Sequence, residues 1–257
     1  MLLTIDAGNT NTVFALVDND TIVERWRIST QDRRTADEYI VWISHLMKLN
    51  NRTVDDVKGA IIASVVPQMV WPLQQICRHY FKHEPLVVGA ADVKLGIDVQ
   101  VKNPQEVGAD RLVNAVAADV LYGGPLAVID FGTATTFDVI GSDGAYLGGV
   151  ICPGINLSLD ALHQAAAKLP RIAVTAPEGT AITGKTTLEA MQNGIFWGYV
   201  SMIEGLSKRL KDEHGSEMKI MATGGLAPIF SDHTNAIDTV AGDLTLEGLN
   251  IIYKRNR

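Results

Sequence analysis

Leu2-Leu3-Thr4-Ile5-Asp6-Ala7-Gly8-Asn9-Thr10-Asn11-Thr12-Val13-Phe14-Ala15-Leu16-Val17-Asp18 reads as an apolar strand, a tight polar turn and a second apolar strand. The turn begins with a carboxylate at the end of the first strand. A glycine follows, and then short polar side chains. Glycine lets a backbone approach a ligand closely, and Asn and Thr supply donors without bulk. An aspartate beside such a turn can help hold a cation that neutralises phosphate. An ordinary hairpin has the same outline, because Gly-Asn is a common turn signal.

The pattern occurs twice. Leu126-Ala127-Val128-Ile129-Asp130-Phe131-Gly132-Thr133-Ala134-Thr135-Thr136-Phe137-Asp138-Val139-Ile140 repeats the apolar strand, the Asp-x-Gly and the hydroxyl-rich turn, about half the chain later. An internal repeat is a fold-level signal. Two such hairpins facing one another would grip a polyphosphate from both sides. The expected organisation is therefore α/β, with two related lobes of mixed sheets around a central cleft. The first lobe is expected over 1–122 and the second over 123–257.

The intervening sequence supports this. Residues 21–28 read as a third strand. Thr35-Ala36-Asp37-Glu38 has the form of a capping box and opens a helix with Ile40, Ile43 and Met47 on one face. Residues 59–66 read as a buried strand. The helix after it is expected around 71–81, with Pro72 in its first turn. An apolar helix begins after Gly108-Ala109-Asp110-Arg111, and Gly123-Gly124-Pro125 stops it. Helices are further expected over 158–168 and, the longest, over 187–211. In the longest, Leu188, Met191, Ile195, Tyr199, Met202, Leu206 and Leu210 follow one face. A last strand over 219–223 runs into Gly224-Gly225, and a helix around 246–249 follows.

The chain has 257 residues, enough for two lobes of ordinary size. Its net charge is −7 and its pI about 5.3. That balance argues against a large nucleic-acid interface. Cys77 and Cys152 lack the spacing of a zinc site or a disulfide framework, and no His pair has metalloprotease spacing. No membrane-length apolar run or signal peptide is recognisable, so a cytoplasmic protein with no membrane partner is expected.

Several residues could carry chemistry. Asp6 and Asp130 could organise a cation while their turns donate to phosphate oxygens, or each could cap its own turn. Asp110 and Arg111 sit near a helix start. Helix-dipole complementarity or a surface ion pair explains them, and spacing alone favours that explanation. As a site, Asp110 would accept a hydroxyl proton and Arg111 would hold an acidic group. Gly179-Thr180-Ala181-Ile182-Thr183-Gly184-Lys185-Thr186 matches a Walker A loop, so a P-loop nucleotide hydrolase is the competing reading. A true P-loop needs a strand feeding it, and Ile172-Ala173-Val174-Thr175 is only a short candidate. Thr223-Gly224-Gly225 is either a flat-ligand contact or a strand-to-helix turn.

Taken together, five motifs resemble one family. Asp6-Ala-Gly-Asn-Thr-Asn11, Glu106-Val-Gly-Ala-Asp-Arg111, Asp130-Phe-Gly-Thr-Ala-Thr-Thr136, Gly148-Gly-Val-Ile-Cys-Pro-Gly154 and Thr223-Gly-Gly225 are similar, in this order, to type III pantothenate kinases. These belong to the acetate and sugar kinase/Hsp70/actin superfamily, with ribonuclease H-like lobes. The resemblance covers essentially the whole chain. It implies ATP-dependent phosphorylation of pantothenate, the first step of coenzyme A synthesis, by a homodimer. It further implies that Asp6, Ala7, Gly8, Asn9, Thr10, Asn11, Thr12 and Val13, with Thr133, bind ATP phosphates and Mg²⁺. Asp110 corresponds to the general base. Gly108, Ala109, Asp110, Arg111 and Thr187 correspond to pantothenate contacts. Asp130 corresponds to a ligand of the monovalent cation, K⁺ or NH₄⁺, and Asp6 serves the divalent metal. One departure is Val101, where many members carry a tyrosine against the substrate. The same fold also resembles a transcriptional accessory factor, against which the intact Asp6, Asp110 and Asp130 set argues.

Overall fold

β1 (Leu2–Ala7) and β2 (Asn11–Asp18) form the first hairpin, and β3 (Thr21–Ser29) extends it antiparallel. β4 (Gly59–Ser64) and β5 (Leu86–Val87) add parallel strands on the other side of β1, giving the order β3-β2-β1-β4-β5. This computed structural model describes all residues except 167, 168, 178 and 180. It divides into two units, Met1–Tyr122 with Asp243–Arg257, and Gly123–Gly242.

In the first unit the sheet is covered on both faces. Leu3, Ile5, Phe14 and Leu16 point one way, onto α1 (Ala36–Leu49) and α2 (Pro67–His79). Alternation along the strands sends Val17, Ile61 and Ala63 the other way, onto α3 (Ala109–Tyr122) and a C-terminal helix. The predicted capping box is present: Glu38 N–H donates to Thr35 Oγ1, and the Thr35 N–H donates to the Glu38 carboxylate.

β6 (Leu126–Phe131), β7 (Ala134–Ile140), β8 (Tyr146–Pro153), β9 (Lys219–Thr223) and β10 (Thr239–Val240) repeat the arrangement in the second unit. Their order is β10-β9-β6-β7-β8. β6 is antiparallel to β7 and parallel to β9, as β1 is to β2 and β4. The sequence repeat is thus a repeat of the whole sheet. Its core joins Ile129, Phe137 and Ile220 to Phe196, Val200 and Ile203 of α5 (Thr187–His214), and to Phe230 of the short α6 (Ala227–Ser231). α4 (Ile155–Ala165) lies between β8 and α5 in the chain. Its expected end at Lys168 lies outside the described residues.

Three expectations change. The C-terminal helix, α7 (Leu244–Arg255), was expected in the second lobe but packs in the first unit. Leu246, Leu249 and Ile252 bury themselves with Val113, Val116 and Ile61 of the first unit. α2 starts earlier than expected. Pro67, whose ring presets helical φ, opens it, so Pro72 lies in the interior rather than the first turn. Pro72 has no N–H to give the carbonyl of Gln68, an exposed residue in the first turn of α2. In α5 the buried stripe is rotated, running through Met191, Phe196, Tyr199, Val200, Ile203 and Leu210, while Leu188 is exposed.

Candidate active site

The first Asp-x-Gly turn is only three residues long, Gly8 to Thr10, because β2 resumes at Asn11. Asp6 is the last residue but one of β1, pairs with Val13 and Ala63, and is half-buried. Gly8 N–H donates to Asn11 O across the turn at 3.0 Å. Asn9, Thr10 and Asn11 are exposed, whereas the Ala7 and Thr12 side chains are fully buried. Those two residues therefore support the turn from beneath and can offer a ligand only their backbones.

The Gly108–Arg111 segment is brought to the same place. Val65 N–H, just beyond β4, donates to Ala7 O at 3.1 Å. A side chain on Gly108 would meet Val65 Cγ1 at 3.5 Å and Asp110 Oδ1 at 2.7 Å. The bare glycine thus lets the Asp110 carboxylate fold back over the start of α3. Its Oδ1 also accepts the Arg111 N–H at 2.7 Å. The order Ala7, Val65, Gly108, Asp110 places the first hairpin and the candidate base in one neighbourhood of one unit. Beside them a cleft of about 490 Å³ is lined by Asn9, Thr30, Gln31, Asp32, Arg33 and Val66. No local sequence signal ties this loop to the hairpin. Val101 is half-buried in the segment before α3.

The second unit builds the matching turn. Asp130 pairs with Thr136 and Thr223, and Gly132 N–H donates to Ala134 O at 3.0 Å. Thr133 is exposed at the tip. Gly224 has φ +90° and packs so close that a Cβ would lie 2.7 Å from Phe131 O and 3.0 Å from Asp130 Oδ1. The Thr-Gly-Gly turn is therefore needed by the Asp130 end of β6, whatever else it contacts. Beside it, the fully buried Asp138 accepts from Tyr146 OH at 2.8 Å and Thr136 Oγ1 at 3.1 Å. Sequence reading did not single out Asp138, whose burial depends on the sheet register.

A family model described as type III pantothenate kinase matches residues 2–209. A type III pantothenate kinase of Paramagnetospirillum magneticum is 59% identical over 256 residues, covering 100% of this chain and 98% of the relative. The chain belongs to the type III pantothenate kinase family. It is an enzyme that uses ATP to phosphorylate an alcohol group, that of pantothenate, in coenzyme A biosynthesis. The activator of 2-hydroxyisocaproyl-CoA dehydratase from Clostridium difficile, solved with ADPNP, shares the fold at TM-score 0.58 and 11% identity. It covers 99% of this chain and 95% of that one. A polyphosphate/ATP-glucomannokinase from an Arthrobacter species does so at TM-score 0.51 and 14% identity, covering 99% and 98%. The kinase thus has the acetate and sugar kinase/actin type of fold.

Membership in this family sets aside the P-loop reading, and the geometry gives the reason. Among the described residues no strand feeds residues 179–186; β8 and β9 flank the region in the chain. Thr180 lies outside the described residues. Thr186 instead caps α5, accepting Glu189 N–H at 3.1 Å, and Lys185 N–H donates to the Glu189 carboxylate. Asn193 donates to Ala181 O and Ile182 O, and Gly184 lies against the backbone of Ala190. The Gly-Lys-Thr match is a helix-capping segment of the kinase. Thr187, the first residue of α5, is exposed there. Neither cysteine is activated: burial pushes the Cys77 thiol up to about 12 and raises that of Cys152.

Proposed function

We propose that Asp110 is the general base of the reaction and that the two Asp-x-Gly turns bind the ATP phosphates. The observation that carries this is the closure of Ala7, Val65, Gly108 and Asp110 into one neighbourhood. A base must lie near the phosphate-binding element for its proton acceptor to meet an in-line nucleophile. In this reading the turn from Gly8 to Asn11, with Thr133, holds phosphate oxygens. Asp110 takes the proton of the pantothenate hydroxyl, and the freed oxygen forms its bond to the γ-phosphorus. The bond from that phosphorus to the bridging oxygen breaks, and ADP leaves with the electron pair. Gly108, Ala109 and Arg111 orient pantothenate, Arg111 through its acidic group, and Thr187 adds a contact. Positioning supplies most of the rate in such transfers.

The donors fit cations carried by phosphate rather than caged by protein. Among the described residues no three metal-binding side chains cluster, which suits Mg²⁺ held by one carboxylate, water and phosphate oxygens. Asp6 would hold it, and Asp130 would hold the monovalent cation, K⁺ or NH₄⁺. Their charges offset that of the triphosphate. The kinase is read as a cytoplasmic homodimer; no described helix is long and apolar enough to cross a membrane.

The test is ADP release with and without pantothenate and K⁺. Pantothenate-dependent ADP that needs K⁺ in the wild type, and no longer responds to K⁺ in Asp130→Asn, supports these assignments. K⁺-independent turnover by the wild type removes the role given to Asp130.

A further inference from the structure

The two phosphate turns are held by the same backbone clasp. In the second unit, Gly154 N–H, just past β8, donates to Thr133 O at 3.1 Å. In the first, Thr30 N–H, just past β3, donates to Thr10 O at 2.9 Å. Each is the residue that follows the third strand of its sheet, and each seizes the turn from the side. The second clasp has no room for a side chain, since a Cβ on Gly154 would lie 2.1 Å from Thr133 O and 2.8 Å from Gly132 O. The first turn is one residue longer, and its clasp carries a side chain. Thr30 Oγ1 lies 2.7 Å from Gly8 O, to which it donates, and 2.9 Å from Thr12 Oγ1.

We propose that Thr30 is a positioning residue for ATP: its backbone and hydroxyl tie down the Thr10 and Gly8 carbonyls and so fix the amides of the first phosphate turn. The inference rests on the reading of that turn as a phosphate site. A trans peptide points its N–H opposite its C=O, so binding the Gly8 and Thr10 carbonyls turns the Asn9 and Asn11 N–H groups away from the clasp, where a phosphate can meet them, while Gly8 N–H stays on Asn11 O. Thr30 also lines the cleft with Asn9 and Arg33. A tyrosine backs each clasp. Fully buried Tyr39 lies under Thr12, its phenol raised first by burial and drawn back by Thr12 and Arg34. Tyr199 donates to Pro153 O at 2.8 Å, next to Gly154.

The experiment compares wild type, Thr30→Val, Thr30→Ser and Asp6→Asn for the KM of ATP and of pantothenate, with thermal melts alongside. Val keeps the branched shape and the backbone N–H but loses the hydroxyl. Thr30→Val is expected to raise the ATP KM about 3- to 10-fold, the worth of one to two net hydrogen bonds. The pantothenate KM should stay within about twofold, and Thr30→Ser should restore ATP binding. A merely structural residue would instead lower the melting temperature and move both KM values together, which overturns the proposal. An unchanged ATP KM in Thr30→Val, or a defect that Ser does not repair, overturns it too. Thr30→Ala is read in the same way should the Val variant not fold. If Asp6→Asn raises the ATP KM and Thr30→Val does not, only the clasp fails. If neither does, the phosphate-turn reading itself fails.

Discussion

Asp110 acquires its place from the backbone of two neighbours. Gly108 has no Cβ to collide with the carboxylate, and the Arg111 amide holds Oδ1. A side chain so held needs no reorganisation when a hydroxyl arrives. Asp110→Asn keeps the size and removes the base. We expect kcat to fall by about 10²- to 10⁴-fold, with ATP affinity, measured by calorimetry, nearly unchanged. A variant that keeps kcat within tenfold would show that the proton leaves by another route. Lys185 gives the opposite expectation. Its N–H holds the start of α5, but its side chain is exposed. Lys185→Ala keeps the N–H and should leave kcat/KM within about twofold, whereas collapse of turnover would restore a phosphate-loop role.

Among the elements, α3 and α7 determine how firmly the proposed base is seated. They meet at Gly248, where a Cβ would lie 2.3 Å from Val113 O and 2.7 Å from Val113 Cγ1. Two effects oppose each other in Gly248→Ala. Alanine gains up to about 1 kcal/mol of helix propensity. The overlap with a backbone oxygen cannot be relieved by a side-chain rotation and costs about 1–3 kcal/mol. The clash should win, lowering the denaturation midpoint and, because α3 carries Asp110, kcat as well. A stabilised Gly248→Ala would mean that the helices slide apart cheaply. This contact also marks where the sequence stopped being legible. The Thr35 capping box, both Asp-x-Gly hairpins and the strand of residues 219–223 were readable because their determinants lie within a few residues. The home of α7 was not, because Leu246, Leu249 and Ile252 show an apolar face without saying which sheet it covers. Nor was the rotation of α5, set by where Phe230 and Ile220 stand. Of the proposed site, Asp6, Asp110 and Asp130 lie in motifs that can be read from sequence. Thr30 and Asp138 could not, since their meaning arises only when β3 reaches the turn and when β7 pairs with β6.

At the scale of the whole molecule, the duplicated sheet leaves one asymmetry. Helices cover both faces of the first unit's sheet, whereas the described core of the second unit is a single cluster; large apolar residues are exposed on both units, and five of those on the second lie between residues 151 and 188. Ile151 on edge strand β8, Leu157 and Leu162 on α4, Ile182 before α5 and Leu188 on its first turn are 64, 53, 38, 68 and 47% exposed. Isolated apolar residues on a surface need no explanation, but a concentration on neighbouring elements marks an association surface. A second copy of the chain is the occupant proposed, consistent with an exposed edge strand that natural proteins tend to cover. Charge placed there should be costly in the dimer and harmless in the monomer, since Leu157 and Ile182 already face solvent in one copy. Leu157→Asp/Ile182→Asp is therefore expected to halve the mass seen by sedimentation equilibrium while the far-ultraviolet spectrum is kept. Thr187 lies in the same stretch, so the pantothenate KM should rise with dissociation. A wild-type chain that sediments as a monomer, or a double variant that stays dimeric, would move the interface elsewhere and leave this apolar surface without a partner.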